Sequence, residues 1–344
     1  MVVPPSRVRW PAVTSARATT PPPARPAVRR FGAERRLLAL LLLALLVRLP
    51  LLFTPGYDVR DYKEWARIVH RVGVGGWYGV TYPPEPGWYN YPPFYLYPLR
   101  VTSAIYAALR PDGDWQGQLL GALLKIWPVI AELTLGLLLY RFLRRHGTHG
   151  RALYGCAIYL LNPAIIWNTA YWGGIDAFHA LFLSAALFAA GEGGLVRAGV
   201  WATLAVGSKL QALPGALALG LLALRERRAR ATLPPAGLAA LVTGLALVAP
   251  IIAQGQFTLL VRAMLANLAN TTVASANAHN LWWLIAGGDW RPDTTRSPFG
   301  LTYHLAGLLL FGLSVALLVA FGRQAGDVVT PCADGAFLSF AFFM

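Results

Sequence analysis

The feature that most constrains this chain is a series of apolar runs, separated by short stretches rich in arginine. An α-helix needs about 20 apolar residues to cross a bilayer, and several of these runs approach that length. The chain is 56% hydrophobic and only 13% charged, well below the roughly 25% charged residues of a soluble domain. The sequence therefore predicts an all-α protein, folded as a polytopic bundle of transmembrane helices.

The net charge of +15 would usually suggest nucleic acid as a partner. Here the basic residues gather at the ends of apolar runs, as they do on the cytoplasmic side of membrane proteins. We therefore expect the lipid bilayer, and not nucleic acid, as the partner of these charges. Cys156 and Cys332 are too few for a disulfide framework or a zinc site.

Residues 1–36 are rich in proline and arginine and have little to bury, which predicts a disordered basic cytoplasmic tail. A transit peptide is the alternative, but the apolar run follows without a small-residue cleavage site, which favours an uncleaved signal anchor. Residues 37–344 are predicted to form one transmembrane domain. The last run, 336–344, is too short to cross a bilayer, so we expect the chain to be truncated at its C-terminal end.

The arginines also predict the topology, with the first span, 37–53, starting in the cytoplasm. If the short segment 94–109 also crossed, the arginines after 119–140 would lie outside, so we interpret it as interfacial. Residues 54–118 and 254–300 then form two large external loops, and the first carries interfacial helices. The other predicted spans are 119–140, 152–171, 177–190, 196–209, 211–224, 235–253 and 301–321. Several have only about 14 residues, which is typical of tilted helices or helices broken around a cavity.

Asp58 and Asp61 follow the first span directly, where a carboxylate meets both lipid-borne and aqueous substrates. From residue 59 onward apolar residues recur at helical spacing, which predicts a helix lying in the membrane interface. Asp61 and Glu64 lie on the polar face of that helix. Ion pairs with neighbouring basic residues are the alternative to a catalytic role for these two, and also for Asp58, which lies outside that polar face.

Aromatic residues surround a rigid turn at Tyr91, Pro92 and Pro93 in the same loop. Such rings are suited to hold a sugar or a polyprenyl chain. Aromatic belts that anchor a protein at the membrane surface have the same composition, so both interpretations stay open.

These features together resemble the GT-C superfamily of polyprenyl-phosphate-sugar-dependent glycosyltransferases. The resemblance rests on a cytoplasmic tail, one span, Gly-Tyr-Asp at 56–58, Trp65 seven residues after the Asp, and then Tyr-Pro-Pro at 91–93. It looks closest to bacterial relatives of the dolichyl-phosphate-glucose glucosyltransferases, whose first loop carries a catalytic Asp near a later Asp-Tyr-Pro-Pro. Asn90 stands at the place of that second Asp. The resemblance therefore implies that Asp58 is the general base, with Asp61 as the second catalytic candidate.

Three further stretches are similar to this family: residues 171–176 to its Trp-Gly-Gln-x-Asp, residues 208–211 to its Lys-Pro-Gln, and residues 275–283. Gly174 replaces the Gln of the first motif, and Leu210 replaces the Pro of the second. The resemblance implies a GT-C-like bundle that transfers a hexose, such as glucose or mannose, from a polyprenyl-phosphate donor. The acceptor would be a hydroxyl of a glycan, lipid or protein on the non-cytoplasmic face of a bacterial plasma membrane.

Lys209 is predicted to be a lone cation at the outer end of a short apolar span. An unpaired ammonium is costly there, which favours contact with the departing phosphate. A lysine that extends its ammonium to interfacial water is the alternative. Asp176 and His179 are three residues apart and share a helix face, so they would orient the phosphate or sugar, or form a buried pair without substrate contact.

The remaining substrate-binding candidates are Trp172, Gln211, Asn277 and Asn280. Amide groups beside tryptophan rings suit sugar hydroxyls, but a loop capped by Asn and anchored by Trp is the alternative for the last two. The histidines lack metal-ligand spacing, so we predict no metal site in the protein; a divalent cation at the donor phosphate stays open as a cofactor. The alternative function is a transporter or flippase of a lipid-linked sugar.

Overall fold

The computed structural model describes residues 27–80, 91–111, 113–225, 229–269, 273–274, 281–288 and 290–321. Within these ranges the regular structure is helical, and the only extended pairings are two isolated β-bridges. Three helical segments are long and apolar enough to cross a membrane: Glu34–Phe53, Gln118–His146 and Leu233–Ala253. The all-α prediction is confirmed for the described residues.

Thirteen α-helices follow one another along the described chain. They are α1 (Ala27–Arg48), α2 (Val59–Val72), α3 (Leu96–Leu109), α4 (Gln118–His146), α5 (His149–Leu160), α6 (Pro163–Ile166), α7 (Asp176–Gly191), α8 (Leu195–Ser208), α9 (Leu213–Arg225), α10 (Leu233–Ala253), α11 (Phe257–Ala269), α12 (Leu281–Ile285) and α13 (Tyr303–Phe321).

Helix α1 begins at Ala27, ten residues before the predicted start of the first span. The sequence 27–36 still has little to bury, but it continues the backbone hydrogen bonding of the apolar helix that follows. Because a helix is costly to start and easy to extend, an established apolar helix lengthens into such a flank.

The predicted span 152–171 is a broken helix. Helix α5 ends at Leu160, and Asn162 then caps α6 by accepting a hydrogen bond from the Ala164 amide at 2.9 Å. Pro163 is the first residue of α6, where its missing amide proton costs nothing. Residues Trp167–Trp172 continue as a π-helical turn, a form that occurs often at functional sites.

The first predicted external loop contains the expected amphipathic helix. Helix α2 buries Val59, Tyr62, Trp65 and Val69 and packs against α3 and α4. The segment predicted to be interfacial, 94–109, forms a 3-10 turn followed by α3. The predicted second loop, 254–300, contains α11 and α12, which the sequence analysis did not anticipate.

The two predicted external loops contact each other. The amide of Gly79 donates a hydrogen bond to Oε1 of Gln256 at 2.7 Å. Gly75 leaves room for the carbonyl of Pro250, which a β-carbon would overlap. This contact agrees with the prediction that both loops lie on one side of the bundle.

A buried ion pair joins α1, α4 and α5. Arg48 donates to Glu132 Oε2 at 2.8 Å, to the Ala44 carbonyl at 2.8 Å and to the Leu160 carbonyl at 2.9 Å. The Arg48 side chain is fully buried. Removing one partner of such a pair typically costs about 3–5 kcal/mol of stability, because it leaves an uncompensated buried charge.

Candidate functional site

Three predicted residues from distant parts of the chain meet at one end of the bundle. Asp58 precedes α2, Asp176 is the first residue of α7, and Lys209 follows the last residue of α8. Lys209 and Asp176 are the two largest charge influences on the Asp58 carboxylate. Two carboxylates and one ammonium therefore share this end of the bundle.

The Asp58 carboxylate is half-buried and lies near the Trp172 side chain. Burial raises the pKa of Asp58 above its ordinary value, while hydrogen bonding from the Trp172 side chain and the charge of Lys209 favour the ionised form and oppose that rise. A carboxylate with a raised pKa is a stronger base than an exposed one.

Lys209 forms an ion pair with Asp176, so the expectation of a lone cation is wrong. Asn168 Nδ2 donates to the other Asp176 oxygen at 3.3 Å, and His179 Nδ1 lies 3.9 Å from Asp176 Oδ1. A carboxylate in the first turn of α7 and an ammonium beyond the last turn of α8 are both favoured by the helix dipoles. The pairing is not evident from the sequence, because the two partners are 33 positions apart.

A tight turn places Trp172 and Asp176 at this site. Gly173 has a φ of +90°, a backbone conformation that favours glycine, and it ends the π-helical turn. The Gly174 amide then donates to the Asn168 carbonyl at 2.7 Å. A larger residue at 173 would therefore disturb both the turn and the start of α7.

The first loop packs closely on that turn. Gly56 has a φ of +61°, and a β-carbon there would lie 2.7 Å from the Trp172 carbonyl oxygen. Its neighbour Tyr57 stacks on Trp172 with ring centroids 5.2 Å apart. Tyr57 is 69% exposed, so the two rings form an accessible aromatic surface beside Asp58.

Tyr91 connects the first loop to Lys209. Its carbonyl accepts a hydrogen bond from the Tyr78 hydroxyl at 2.7 Å. Lys209 and Asp58 both influence the Tyr91 hydroxyl, whose pKa is raised by burial. The Tyr95 hydroxyl is buried nearby with no hydrogen-bond partner among the described residues.

An apolar cavity of about 680 Å³ lies between α8, α9, α10 and α11. Pro92, Pro93 and Leu210 line it, which brings the cavity next to Lys209 along the chain. Its walls consist otherwise of aliphatic residues and glycines, apart from Thr203 and Met264. A cavity of this composition suits an apolar chain.

A second, smaller cavity of about 330 Å³ lies beside the start of the first loop. It is lined by residues with polar and charged side chains as well as by the loop backbone: Pro55, Gly56, Tyr57, Arg60, Lys63 and Gln116. Lys63 Nζ donates to the Gln116 carbonyl at 2.8 Å. Burial lowers the pKa of Lys63, and the charge of Asp114 opposes that change.

The remaining predicted residues are less central. Asp61 contacts the exposed Arg60 guanidinium at 3.4 Å, and Gln211 lies in the 3-10 turn directly after Lys209. Asn277 and Asn280 lie outside the described residues.

Sequence reasoning missed Tyr57, Asn168 and the buried Lys125. Lys125 carried a signal, since a lysine inside a long apolar run marks a costly and usually functional group.

Helix α4 relates this site to the basic end of the bundle. Lys125 contacts the carbonyl of Tyr171, directly before Trp172, whereas Arg144 and Arg145 lie in the last turn. Lys125 and Arg145 are 20 positions apart on α4. At a rise of about 1.5 Å per residue this corresponds to roughly 30 Å. This is about the thickness of the hydrocarbon core of a bilayer. The site and the basic cluster therefore lie about one bilayer thickness apart.

No protein-family model matches the chain, and no curated protein matches it. Among the described residues, no group of three or more His, Cys, Asp or Glu side chains is placed to hold a metal ion. The case for a function therefore depends on the side-chain arrangement around Asp58.

Proposed function

We propose that the chain is a polytopic membrane glycosyltransferase of the GT-C type, which moves a hexose from a polyprenyl-phosphate donor to an acceptor hydroxyl. The observation that supports this most strongly is the position of Asp58. Its half-buried carboxylate, with a raised pKa, is influenced by the Lys209–Asp176 pair and lies beside the exposed ring of Tyr57, its neighbour in the chain. Lys209 in turn is followed by Leu210, which lines the apolar cavity. A base, a cation and a lipid cavity are the parts that this transfer requires.

The donor would place its lipid chain in the large cavity and its phosphate at Lys209. The cavity walls are almost entirely apolar, and Pro92, Pro93 and Leu210 mark its end near the ion pair. An ammonium has three N–H donors, and among the described residues Asp176 accepts from one of them, which leaves two for a phosphate. In this arrangement Asp176 holds the ammonium in place, and the cation balances the charge that develops on the leaving phosphate.

The acceptor would approach from the aqueous side, over Tyr57 and the smaller cavity. Its hydroxyl gives its proton to the Asp58 carboxylate while the oxygen attacks the anomeric carbon. The bond between that carbon and the phosphate oxygen breaks, and the polyprenyl phosphate leaves as an anion. One displacement of this kind inverts the configuration at the anomeric carbon.

The active site would face away from the cytoplasm. The arginines at the far end of α4 are typical of a cytoplasmic boundary, and the site lies about one bilayer thickness from them. A multi-pass protein of a bacterial plasma membrane, with its site facing outward, fits this arrangement.

The test uses purified protein in lipid nanodiscs, a panel of radiolabelled polyprenyl-phosphate sugars and an extract of membrane glycans and lipids as acceptors. We expect one donor to give a product in which the labelled sugar is linked to an acceptor. The Asp58→Asn protein should not form this product. If no donor gives product, while liposomes containing the protein move lipid-linked sugars between leaflets, the alternative function of a flippase is correct.

A further inference from the structure

Lys125 is the most unusual charged residue outside the proposed reaction centre. It lies in the apolar helix α4 and is only 1% exposed. No carboxylate pairs with it among the described residues. Its ammonium instead donates to the Leu51 carbonyl at 3.2 Å, the Thr54 carbonyl at 2.9 Å, the Thr54 hydroxyl at 2.9 Å and the Tyr171 carbonyl at 2.8 Å.

These oxygens come from two segments that carry parts of the site. Leu51 and Thr54 end the chain segment that leads into Asp58, and Tyr171 directly precedes Trp172. The Thr54 hydroxyl donates its proton to the Leu51 carbonyl at 2.6 Å and also lies 3.2 Å from the Tyr171 carbonyl, so the two segments approach each other here. The Lys125 ammonium is therefore the common partner of both segments.

Holding two segments together with a buried ammonium and neutral oxygens costs free energy of folding. Removing a charge from water costs several kcal/mol, and well-packed apolar residues often give equal or greater stability at such positions. Stability alone therefore does not account for this lysine. A requirement for a fixed distance between the two segments accounts for it, because one positive charge attracts several carbonyl dipoles at once.

Other contacts of α4 act in the same direction. Gly121, one turn before Lys125, lies so close to α2 that a β-carbon would be 3.2 Å from Val59 Cγ1. Helix α4 thus contacts the start of α2 through Gly121 and both site segments through Lys125.

We propose that Lys125 is a positioning residue that keeps Trp172 beside Asp58 by holding their two chain segments at one distance. This rests on the proposed function for its effect on catalysis, but the positioning itself does not. Lys125 touches neither donor nor acceptor. Its ammonium acts as a cation tethered inside a cage of oxygen atoms.

The test compares Lys125→Met, Lys125→Ala and Lys125→Arg with wild type. A misplacement of about 1 Å can cost about 10²-fold in rate, so we expect Lys125→Met to lower kcat by roughly that factor and leave the donor KM nearly unchanged. Lys125→Ala leaves space for a small ammonium ion, so ethylammonium chloride should restore part of its kcat. Tetramethylammonium, which has no N–H donor, should not.

Hydrogen–deuterium exchange tests the inference even if no transferase activity is found. Amides in 54–62 and 171–176 should exchange faster in Lys125→Met, and ethylammonium should slow that exchange in Lys125→Ala. A matched control is Glu132→Gln, which weakens a buried pair two turns further along α4 and should lower stability without changing the pH profile of kcat. If both segments of Lys125→Met exchange like wild type, the inference is wrong. If exchange changes as expected but wild type transfers no sugar, only the proposed function is wrong.

Discussion

The ammonium of Lys209 and the carboxylate of Asp176 form an ion pair between the end of α8 and the start of α7. Both groups also influence Asp58, so three charges from separate chain segments act on one another. A phosphate that binds Lys209 must share this cation with Asp176. The pair therefore determines both where the cation lies and how strongly it attracts a donor.

We expect Lys209→Met and Asp176→Asn to weaken donor use in a coupled manner. Lys209→Met removes the cation that faces the phosphate, and Asp176→Asn releases that cation from its position. Because the two groups touch, the double variant should lose less than the sum of the single losses, by about 0.5–3 kcal/mol. Donor kcat/KM for the four proteins measures this, and strictly additive losses would contradict the shared role.

Asp58→Asn should lower kcat by about 10² to 10⁴, the usual contribution of a positioned general base. The amide keeps the shape of the side chain, and Asp176 still pairs with Lys209, so the donor Kd should stay similar. The control is Asp61→Asn, whose partner Arg60 is exposed and whose loss should be small. A dead Asp61 variant together with an active Asp58 variant would reverse the two roles.

The pH profile offers an independent measurement. A base must be ionised, so kcat/KM should fall as pH drops through the pKa of Asp58, which burial raises above its ordinary value. Trp172→Phe removes the hydrogen bond that stabilises the charged form while it keeps a ring against Tyr57. The pKa should then rise further and move the acidic limb of the profile to higher pH. An unchanged or lower apparent pKa would argue against Asp58 as the titrating base.

Filling the large cavity should affect lipid-linked donors selectively. Gly220 lines the cavity and has open space around its α-carbon, so Gly220→Leu adds a side chain without a clash. We expect a higher KM for a long polyprenyl donor and little change for a donor with a short chain. Gly312→Leu is the matched control, because Gly312 also has open space but does not line the cavity. Equal effects of the two variants on the long donor would exclude the cavity as the lipid site.

Single cysteines can establish which face carries the site. In a background with Cys156→Ser and Cys332→Ser, we expect Arg110→Cys to react with a membrane-impermeant thiol reagent from outside, and His146→Cys only after the membrane is opened. Both positions are exposed, whereas Ser103 in the same external loop is buried. The opposite labelling pattern would place the site in the cytoplasm.

Much of the helical architecture was predictable because apolar periodicity and the residues that end helices are local features of the sequence. The pattern from Val59 onward predicted α2, and the break after Lys209 matches the end of α8. The start of α1 was missed because helix extension into a basic flank has no apolar signal. The helices inside 254–300 were missed because the arginine pattern gave only the side of the membrane and no internal structure for that loop.

The candidate site was only partly predictable. Asp58, Tyr91, Trp172, Asp176 and Lys209 were selected from short motifs, and the structure brings them together. The ion pair between Lys209 and Asp176 could not be foreseen, since it depends on how α7 and α8 pack. The oxygen cage of Lys125 was equally hidden, because its partners are backbone carbonyls, which every residue has.

The Arg48–Glu132 pair also has a consequence for how the protein is made. The two residues are 84 positions apart, so Arg48 leaves the ribosome long before its partner in α4. An arginine at the centre of a membrane helix costs about 2.5–3.5 kcal/mol during insertion, and the cost falls toward a helix end, where Arg48 lies. We therefore expect the Arg48 end of α1 to stay at the membrane interface until α4 enters and Glu132 can pair with it.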